Sequence, residues 1–514
     1  MGREKEYRQR LKYQVQSVRS KTLEAQIAAQ LRNELGMSPM EGMLLARRMG
    51  QWLVQESGIR SPNQLLTEAS SGRDRFRRKG KTPLKKIKLT PFSEEDLDLE
   101  LEYGLKTMQA GRIARLIEEA YEQDALLSMK QLVLLTNITP TSLRGRLADF
   151  RKRGIYLPFL GMSKQAREQG AVLRSTWVLS RYFAGEPLNE IREAAAFSRS
   201  RAQDLVVTFS HFAHNPSIPP ALGSRELEEW RTLLKVASKT KLKEILPVPS
   251  APSRQENEGK IEFDLRTDFG MSPVKVRAVR QIYDELKSTL SERREENTVI
   301  YWAVSASEPA GKPLEVCSLI PVKLTLIEEG DVPDPKKDPD FNRVSEMKYR
   351  KAVRYATQAK YCGGYLTYAD LGYLLGIHPA AISELVQKQR KIVIPLRGAE
   401  CDIGRGITHR REIIKLFMEV YTETQIAART GHSYESIENY IKEFGTVLFL
   451  KEQGLSVPLI RKVTGRSTRL IGAYLELLKE YSGPEYAFRL NYLRQIAQKD
   501  GGQVKKKTNE TNAR

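Results

Sequence analysis

The residues of this sequence that could carry out catalysis occur only in short, incomplete patterns. "GKT" at 80–82 resembles the end of a phosphate-binding loop, but Arg75 stands where the first glycine is required and no apolar strand precedes it. Cys401 and His409 are eight residues apart, without the second ligand pair that a zinc site needs. We therefore expect no cofactor and no bound metal.

A second pattern that could support catalysis is "THRRE" at 408–412. Together with Tyr440 it supplies residue types that occur in the active site of a tyrosine recombinase. The other basic residues of such a site cannot be placed, and Tyr440 falls on the predicted buried face of a helix. Carboxylates for metal-assisted phosphoryl transfer can lie far apart in a chain, so that reaction stays open. We predict a non-enzymatic protein, with a recombinase-like or transposase-like enzyme as the alternative, and assign no catalytic residue.

The charge of the chain points to a polyanionic partner. Its 514 residues include 84 Lys and Arg against 63 Asp and Glu, which gives a net charge of +21. Such an excess favours nucleic acid first and an anionic membrane second. No apolar run reaches the roughly 18 residues of a membrane span, and no signal peptide is visible. Three scattered cysteines fit a reducing compartment, so we expect a cytoplasmic, nucleoid-associated protein that binds double-stranded DNA.

The side chains expected to touch DNA lie mostly at the exposed starts of predicted second helices. Arg and Lys read guanine or grip phosphate, and Ser, Thr and Gln contact bases or phosphates. The candidates at such helix starts are Thr141, Arg144, Arg146, Arg199, Ser200, Gln203, Arg466, Thr468 and Arg469. The basic stretch 72–88 adds three candidates for phosphate contact without sequence reading, namely Arg77, Arg78 and Lys79.

Five predicted helix-turn-helix units position these residues, and each combines a short first helix, a tight turn and a second helix with an apolar face. The units span 128–153, 189–212, 367–390, 422–444 and 456–481. In 422–444, Gly431 is the turn residue and Ile437, Tyr440 and Ile441 form the buried face of the second helix. Because Glu435 and Glu438 lie on the exposed face of that helix, we interpret this unit as structural or dimerising.

The other units vary this pattern. The last unit has Ile460, Val463 and Ile471 as its apolar positions and Gly465 as its turn. In the first two units, Asn137 and Ala196 replace the turn glycine. The stretches 154–161 and 391–398, each after a second helix, are predicted as the first strand of a wing.

An internal duplication organises these units. "GMSP" occurs at 36–39 and again at 270–273, an offset of 234 residues. It predicts a capped corner between two helices, with Gly ending the first, Ser capping the second and Pro at its first position. Four further segment pairs follow in the same order, including 83–91 with 313–321 and 128–143 with 367–382. Copy one is about 20–215, and copy two is about 260–445.

The predicted fold is mainly α with small β elements, built as a tandem duplication of a helical unit that contains helix-turn-helix or winged-helix-like subdomains. A strand is expected at 297–305, with a second at 314–327 that can pair with it. The expected segments are 1–71 (helical), 72–104 (basic linker and small β element), 105–215 (tandem helix-turn-helix), 216–259 (helix and linker), 260–345 (helical and β), 346–445 (tandem helix-turn-helix), 446–498 (additional helix-turn-helix) and 499–514 (basic tail).

The sequence resembles a prokaryotic family known as domain of unknown function 1670. The resemblance is carried by the two GMSP corners, the proline-flanked turns 138–140 and 377–379, and the stretch 408–441. It is clearest over copy two and the C-terminal unit. It implies a prokaryotic DNA-associated protein and assigns no catalytic residue.

These observations favour a sequence-specific DNA-binding protein that acts as a transcriptional regulator or binds the DNA of a mobile element or replicon. Two tandem copies can imitate a dimer on duplex DNA within one chain, and the oligomeric state itself is left open. A helical protein-interaction scaffold is the alternative outside DNA binding.

Overall fold

The computed structural model describes most of the chain. The described residues are 2–55, 59–72, 83–160, 172–217, 220, 222–237, 260–291, 294–308, 314, 317–331, 344–389, 394–400, 407–430, 434–466 and 468–498. As predicted, they are mainly helical, with two small antiparallel sheets. None of the helices within these ranges is long and apolar enough to cross a membrane.

The chain divides into two compact units. The first comprises Met1–Ala306 and Leu314–Leu385, and the second comprises Ser307–Pro313 and Val386–Arg514. The first unit thus holds copy one and the larger part of copy two. The segment 346–445, predicted as one piece, is divided between the units.

The elements up to the linker are those of the N-terminal extension, of copy one and of the helix that follows copy one. They are α1 (Gly2–Arg19), α2 (Leu23–Leu35), α3 (Pro39–Gln55), β1 (Leu65–Ser71), β2 (Leu84–Leu89), α4 (Glu94–Tyr103), α5 (Leu105–Glu122), β3 (Ala125–Leu126), α6 (Met129–Thr136), α7 (Pro140–Lys152), α8 (Arg174–Phe183), α9 (Leu188–Ala195), α10 (Arg199–His214) and α11 (Ser224–Ala237).

Copy two and the C-terminal part repeat this order and extend it. Their elements are α12 (Lys260–Thr267), α13 (Pro273–Ser291), β4 (Thr298–Ser305), β5 (Leu319–Thr325), a 3₁₀ turn (Glu329–Asp331), α14 (Val344–Tyr361), β6 (Gly364–Tyr365), α15 (Tyr368–Leu375), α16 (Pro379–Gln389), α17 (Arg397–Glu400), α18 (Ile407–Met418), α19 (Glu423–Thr430), α20 (Tyr434–Glu452), α21 (Val457–Thr464), α22 (Thr468–Glu480) and a second 3₁₀ turn (Pro484–Tyr486). Residues 487–498 are also helical.

The GMSP corners form as predicted. Gly36 ends α2 at φ 62° and Gly270 has φ 59°, the left-handed conformation that glycine adopts without steric cost. In copy one, Glu41 N donates to Ser38 Oγ at 3.3 Å and Ser38 N donates to the Glu41 carboxylate at 3.1 Å. Ser38 and Glu41 thus form the capping box at the start of α3.

The two sheets have the same topology, which supports the duplication. Their strand orders are β2-β1-β3 and β5-β4-β6, with every neighbouring pair antiparallel. Leu65 pairs with Leu89, and the equivalent residue Val299 pairs with Leu324.

The sheets also correct two sequence-based predictions. The register shows that the residues equivalent to β2 lie in β5, at an offset of 235 residues. The predicted pairing of 83–91 with 313–321, an offset of 230, is therefore wrong and rested on a chance proline-leucine match. Strand β1 also lies inside segment 1–71, which was predicted to be helical. Its alternation of partly and fully buried positions is weak, so it gave little period-2 signal.

The copies share a hydrophobic core inside the first unit. Helices α2 and α3 of copy one contribute Ile27, Leu31 and Met49, and α12 and α13 of copy two contribute Leu265 and Val279. All five side chains are fully buried. The helices that precede the two GMSP corners, α2 and α12, therefore bury their apolar faces in a core that the copies share.

The second unit has its own core, which includes Phe444, Tyr474 and Leu493. Ile460 and Ile471 are buried there as predicted, but Val463 is 62% exposed. Val463, one of the apolar positions named for the last helix-turn-helix unit, therefore lies outside the core, because α21 turns its Ile460 face toward it.

The predicted wing of copy one is paired differently from a hairpin. The described part of 154–161 forms two isolated parallel bridges, Ser128 with Leu160 and Ile155 with Val172. The counterpart at 391–398 lies partly outside the described residues.

Candidate nucleic-acid interface

Helices α6 and α7 form the helix–turn–helix corner that best fits the sequence-based prediction. Ser128 caps α6, and its hydroxyl accepts from Gln131 N at 3.2 Å. Asn137, which stands at the predicted turn position, ends α6 at φ 57° in the left-handed conformation. Thr139 then caps α7, and Pro140 occupies its first turn. The sequence thus defines both ends of a short turn, as a helix-turn-helix requires.

The apolar side of α7 fixes which residues face outward. Leu143, Leu147 and Phe150 are buried. The exposed residues of this helix and the turn before it include Thr139, Thr141, Ser142, Arg144, Gly145, Arg151 and Lys152. Two of the predicted contact residues, Thr141 and Arg144, therefore lie on an open face that carries three cations and no exposed carboxylate. We call Thr141, Arg144, Arg151 and Lys152 the α7 face.

Arg146, the third predicted contact on α7, has a different role. Its guanidinium is half-buried and donates to the side-chain oxygen of Gln109 on α5. Gln109 in turn donates to the backbone oxygen of Gly376 in copy two at 2.6 Å. The prediction that Arg146 contacts DNA is therefore revised, because this side chain ties α7 to the contact between the copies.

The equivalent corner of copy two has the same backbone and a different surface. Thr367 caps α15, Gly376 ends it at φ 65°, and Pro379 begins α16. The duplication aligns Thr141 and Arg144 with Ala380 and Ser383. Exposed positions on the described part of α16 include Ala380 and Glu384. At the one cation position that can be compared, α7 has the exposed Arg144 where α16 has Ser383; Arg390 and Lys391, the equivalents of Arg151 and Lys152, lie outside the described residues.

The two corners meet in a reciprocal contact. Arg112 on α5 donates to the Tyr373 backbone oxygen at 2.9 Å. At the equivalent positions, Lys351 on α14 donates to the Leu134 backbone oxygen at 2.6 Å and to Asn137 Oδ1 at 3.0 Å. Each copy thus uses a cation on its long helix to hold the first helix of the other corner. This is the arrangement of a two-fold dimer interface within one chain.

A buried ion cluster positions Arg112, the cation of copy one, and a related cluster lies in copy two. In copy one, Asp96 is 0% exposed and accepts from Arg115 Nη1 at 2.7 Å and from Arg112 Nε at 2.9 Å. Burial would raise the pKa of Asp96, but Arg115 and Arg112 outweigh it and hold that pKa below its ordinary value. Arg115 Nε also donates to the Thr90 backbone oxygen at 3.1 Å.

Copy two repeats the Arg115–Asp96 part of this cluster, with Arg354 and Asp331 at the equivalent positions. Arg354 donates to both carboxylate oxygens of Asp331, at 3.0 and 2.6 Å, and its Nε donates to the Thr325 backbone oxygen at 2.9 Å. Sequence reasoning missed both clusters, although they share the offset of the sheets. Aligning charged residues as well as apolar ones at offsets of 235 to 239 would have found them.

At the second corner of copy one, formed by α9 and α10, the carboxylate of Glu95 lies at the start of α10. Ala196 ends α9 at φ 52°, and Ser198 caps α10. Ser198 N donates to Glu95 Oε1 at 3.3 Å, and Arg201 pairs with Glu95 at 3.4 Å. The predicted contacts Arg199, Ser200 and Gln203 are exposed. A DNA phosphate near the start of α10 would nevertheless meet the charge of Glu95.

The second unit contains the remaining predicted contacts. Thr468 is exposed at the start of α22. Arg466 is exposed but forms an ion pair with Glu443, which also accepts from Arg410 at 2.8 Å. Part of its charge is therefore used within the unit. The side chain of Arg469, and Arg77, Arg78, Lys79 and the tail from residue 499, lie outside the described residues.

The exposed face of α20 carries the acidic residues that the sequence predicted. Tyr434, Glu435, Glu438 and Asn439 are exposed, while Ile437, Tyr440 and Ile441 are buried. Two carboxylates on this face are unfavourable beside phosphates.

The fold and its corners define a mainly helical protein with a duplicated unit. The sequence model of the family described as "Protein of unknown function (DUF1670)" matches residues 54–211 and 265–477. The match covers more than half of the chain, and the chain belongs to this family. The two matched regions follow the duplication. No curated protein and no solved structure gives a significant match.

Proposed function

We propose that this protein binds double-stranded DNA without catalysing a reaction on it, and that α7 is its main recognition helix. The observation that carries the proposal is the α7 face, which is exposed, basic and backed by buried Leu143 and Leu147. Arg144 lies in the second turn of α7, where a recognition helix reads base edges. Arg151 and Lys152, in its last turn, are suited to phosphate contacts.

The net charge of +21 and the second basic corner, at α21 and α22, support the same role. The biological setting that we propose is transcriptional regulation or the binding of mobile-element or replicon DNA. In either setting the chain acts from the nucleoid.

The test is salt-dependent binding to duplex DNA recovered by selection from genomic fragments. The variant neutralises Arg144, Arg151 and Lys152 to Gln. The matched control neutralises Arg32, Lys275 and Arg277, which are exposed on α2 and α13. These substitutions remove the same amount of positive charge as the α7 variant. Each lost phosphate contact should lower the slope of log affinity against log salt by about 0.9. The α7 variant should show this loss, and the control should keep more of the slope.

A second readout addresses sequence reading. Arg144→Ala should relax the preference at one position of the selected site, at a cost of about 1–3 kcal/mol of discrimination. Binding by the unaltered protein that does not weaken as salt rises would reject the proposal and favour a protein-interaction scaffold. Metal-dependent DNA cleavage or strand transfer would favour an enzyme instead.

A further inference from the structure

Two glycines lie inside helices without a packing reason. They are Gly145, the sixth residue of α7, and Gly472, the fifth residue of α22. A Cβ added at either position would meet nothing within 4 Å. Neither glycine has the positive φ that favours glycine over other residues. Because glycine destabilises a helix interior relative to alanine, the fold itself does not explain either glycine.

Other helical glycines of this chain are explained by close packing. A Cβ at Gly42 of α3 would lie 3.3 Å from the backbone oxygen of Ala28. A Cβ at Gly372 of α15 would lie 2.9 Å from the backbone oxygen of Ile377. These glycines let two segments of the chain approach each other, whereas the glycines of α7 and α22 face open space.

Both open glycines lie on the side of a second helix that faces away from the core. Each stands between two buried side chains, two residues from either one. The flanking pairs are Leu143 and Leu147 in α7, and Leu470 and Tyr474 in α22. At about 3.6 residues per turn, a position two residues from both buried neighbours points away from them. Gly145 and Gly472 are therefore outermost positions of their helices.

An exposed threonine precedes each of these glycines by four residues. Thr141 precedes Gly145, and Thr468 precedes Gly472. Residues four apart are neighbours on a helix surface, so each glycine lies beside a hydroxyl on the outward side. In α7 the exposed Arg144 is also adjacent to the glycine. The same small surface thus occurs on the second helix of both basic corners.

The other second helices have larger side chains at the position of Gly145. This position lies eight residues after the turn residue of each corner, and it is Asp204 in α10, Glu384 in α16 and Asn439 in α20. All three are exposed. The absence of a side chain at Gly145 therefore distinguishes α7 from these helices, as its basic face distinguishes it from α20.

We propose that α7 and α22 enter the major groove of duplex DNA so deeply that the helix backbone at Gly145 and Gly472 contacts base edges. This inference rests on the proposed DNA-binding function. A helix with its side chains is about 10–12 Å across and the groove is about 12 Å wide, so the outermost side chains limit how deeply the helix enters. Glycine permits the closest approach, which brings the Thr141 and Thr468 hydroxyls and the Arg144 guanidinium to the bases.

The test compares single variants of the full chain on the DNA site selected with the unaltered protein. Gly145→Ala and Gly472→Ala each add one methyl group. The matched control is Asn439→Ala, which also introduces the better helix former alanine, at an exposed position of α20. Each glycine variant should bind the selected site about tenfold more weakly, which is comparable to losing one base contact. Binding to unrelated duplex DNA and its salt slope should stay unchanged, because no charge is removed.

Thermal unfolding separates this role from a structural one. Both glycine variants should unfold at the temperature of the unaltered protein or slightly above it, because alanine favours the helix. Weaker binding to the selected site together with preserved stability supports the close approach. A lower unfolding temperature would assign the glycine a structural role and reject the inference for its helix.

The remaining outcomes distinguish this inference from the proposed function. If a glycine variant binds the selected site as tightly as the unaltered protein while the α7 variant is impaired, the inference is rejected for that helix and the proposed function stands. If Asn439→Ala weakens binding equally, the loss does not depend on close approach, and the inference is rejected. If the unaltered protein shows no salt-dependent binding, the inference and the proposed function are both rejected.

Discussion

Asp96 and Asp331 are single residues on which the placement of whole helices depends. Asp96 accepts from two arginines of α5, and one of these, Arg112, also holds α15 in copy two. A charge in such a place is tolerable only while its partners are present, since an unpaired buried charge is costly. The carboxylate therefore links the inside of copy one to the contact between the copies.

Asp96→Asn should destabilise the first unit by about 3–5 kcal/mol, because it removes the carboxylate charge that pairs with two buried guanidinium groups. All four tryptophans, at positions 52, 177, 230 and 302, lie in that unit, so urea unfolding followed by tryptophan fluorescence measures the effect. The control is Asp284→Asn, which breaks an exposed pair with Arg280 and should cost below about 1 kcal/mol. Equal losses in both variants would contradict the role assigned to Asp96.

The buried amine of Lys351, at the contact between the copies, should make the free energy of unfolding depend on pH. Burial lowers the pKa of Lys351 to about 7, although the attraction of Asp331 acts in the opposite direction. The unfolded value is about 10.4, so the folded state binds fewer protons between these values and stability rises with pH across that window. Lys351→Met should flatten the rise in the free energy of unfolding between pH 7 and pH 9, measured by urea unfolding. An unchanged slope would contradict the assignment.

At the scale of elements, the positions of the turns between short helices were the features best predicted from the sequence. The GMSP motif of copy one predicted where α2 ends and α3 begins, through Gly36 and the capping residue Ser38. Asn137 and Ala196 adopt the same left-handed backbone as the turn glycines they replace. The sequence could not show which side chains pack against a turn. Gly376 packs against Arg112, which lies more than 260 residues away in the chain.

The substitution Gly376→Ala tests the packing of Arg112 against this turn. A Cβ at Gly376 would lie 2.9 Å from Arg112 Nη1, whereas one at Gly36 would have nothing within 4 Å. Both glycines have similar positive φ, 65° and 62°. Gly36→Ala should therefore cost only the backbone penalty of about 1–2 kcal/mol, and Gly376→Ala should cost about 1–3 kcal/mol more because of overpacking. Thermal unfolding of the two variants would measure the difference, and equal midpoints would mean that Arg112 gives way freely.

At the scale of the whole chain, the duplication was readable from the sequence because corners and apolar periods repeat in order. The candidate interface was only partly readable. Thr141 and Arg144 are exposed as predicted, but Arg146 and Arg466 have partners, Gln109 and Glu443, that only the folded chain brings near. Helix patterns predict which side of a helix is buried, whereas the pairing of a particular cation depends on elements distant in the chain.

The reciprocal contact between the two corners also bears on how this protein can evolve. In a homodimer each mutation appears in both subunits, so a change that suits one half is imposed on the other. Here Asn137 and Gly376, Arg112 and Lys351, and Arg144 and Ser383 are equivalent positions that have diverged separately. For the proposed DNA-binding role, the consequence is that the target need not be palindromic, because each half of the chain can adapt to its own half of the site.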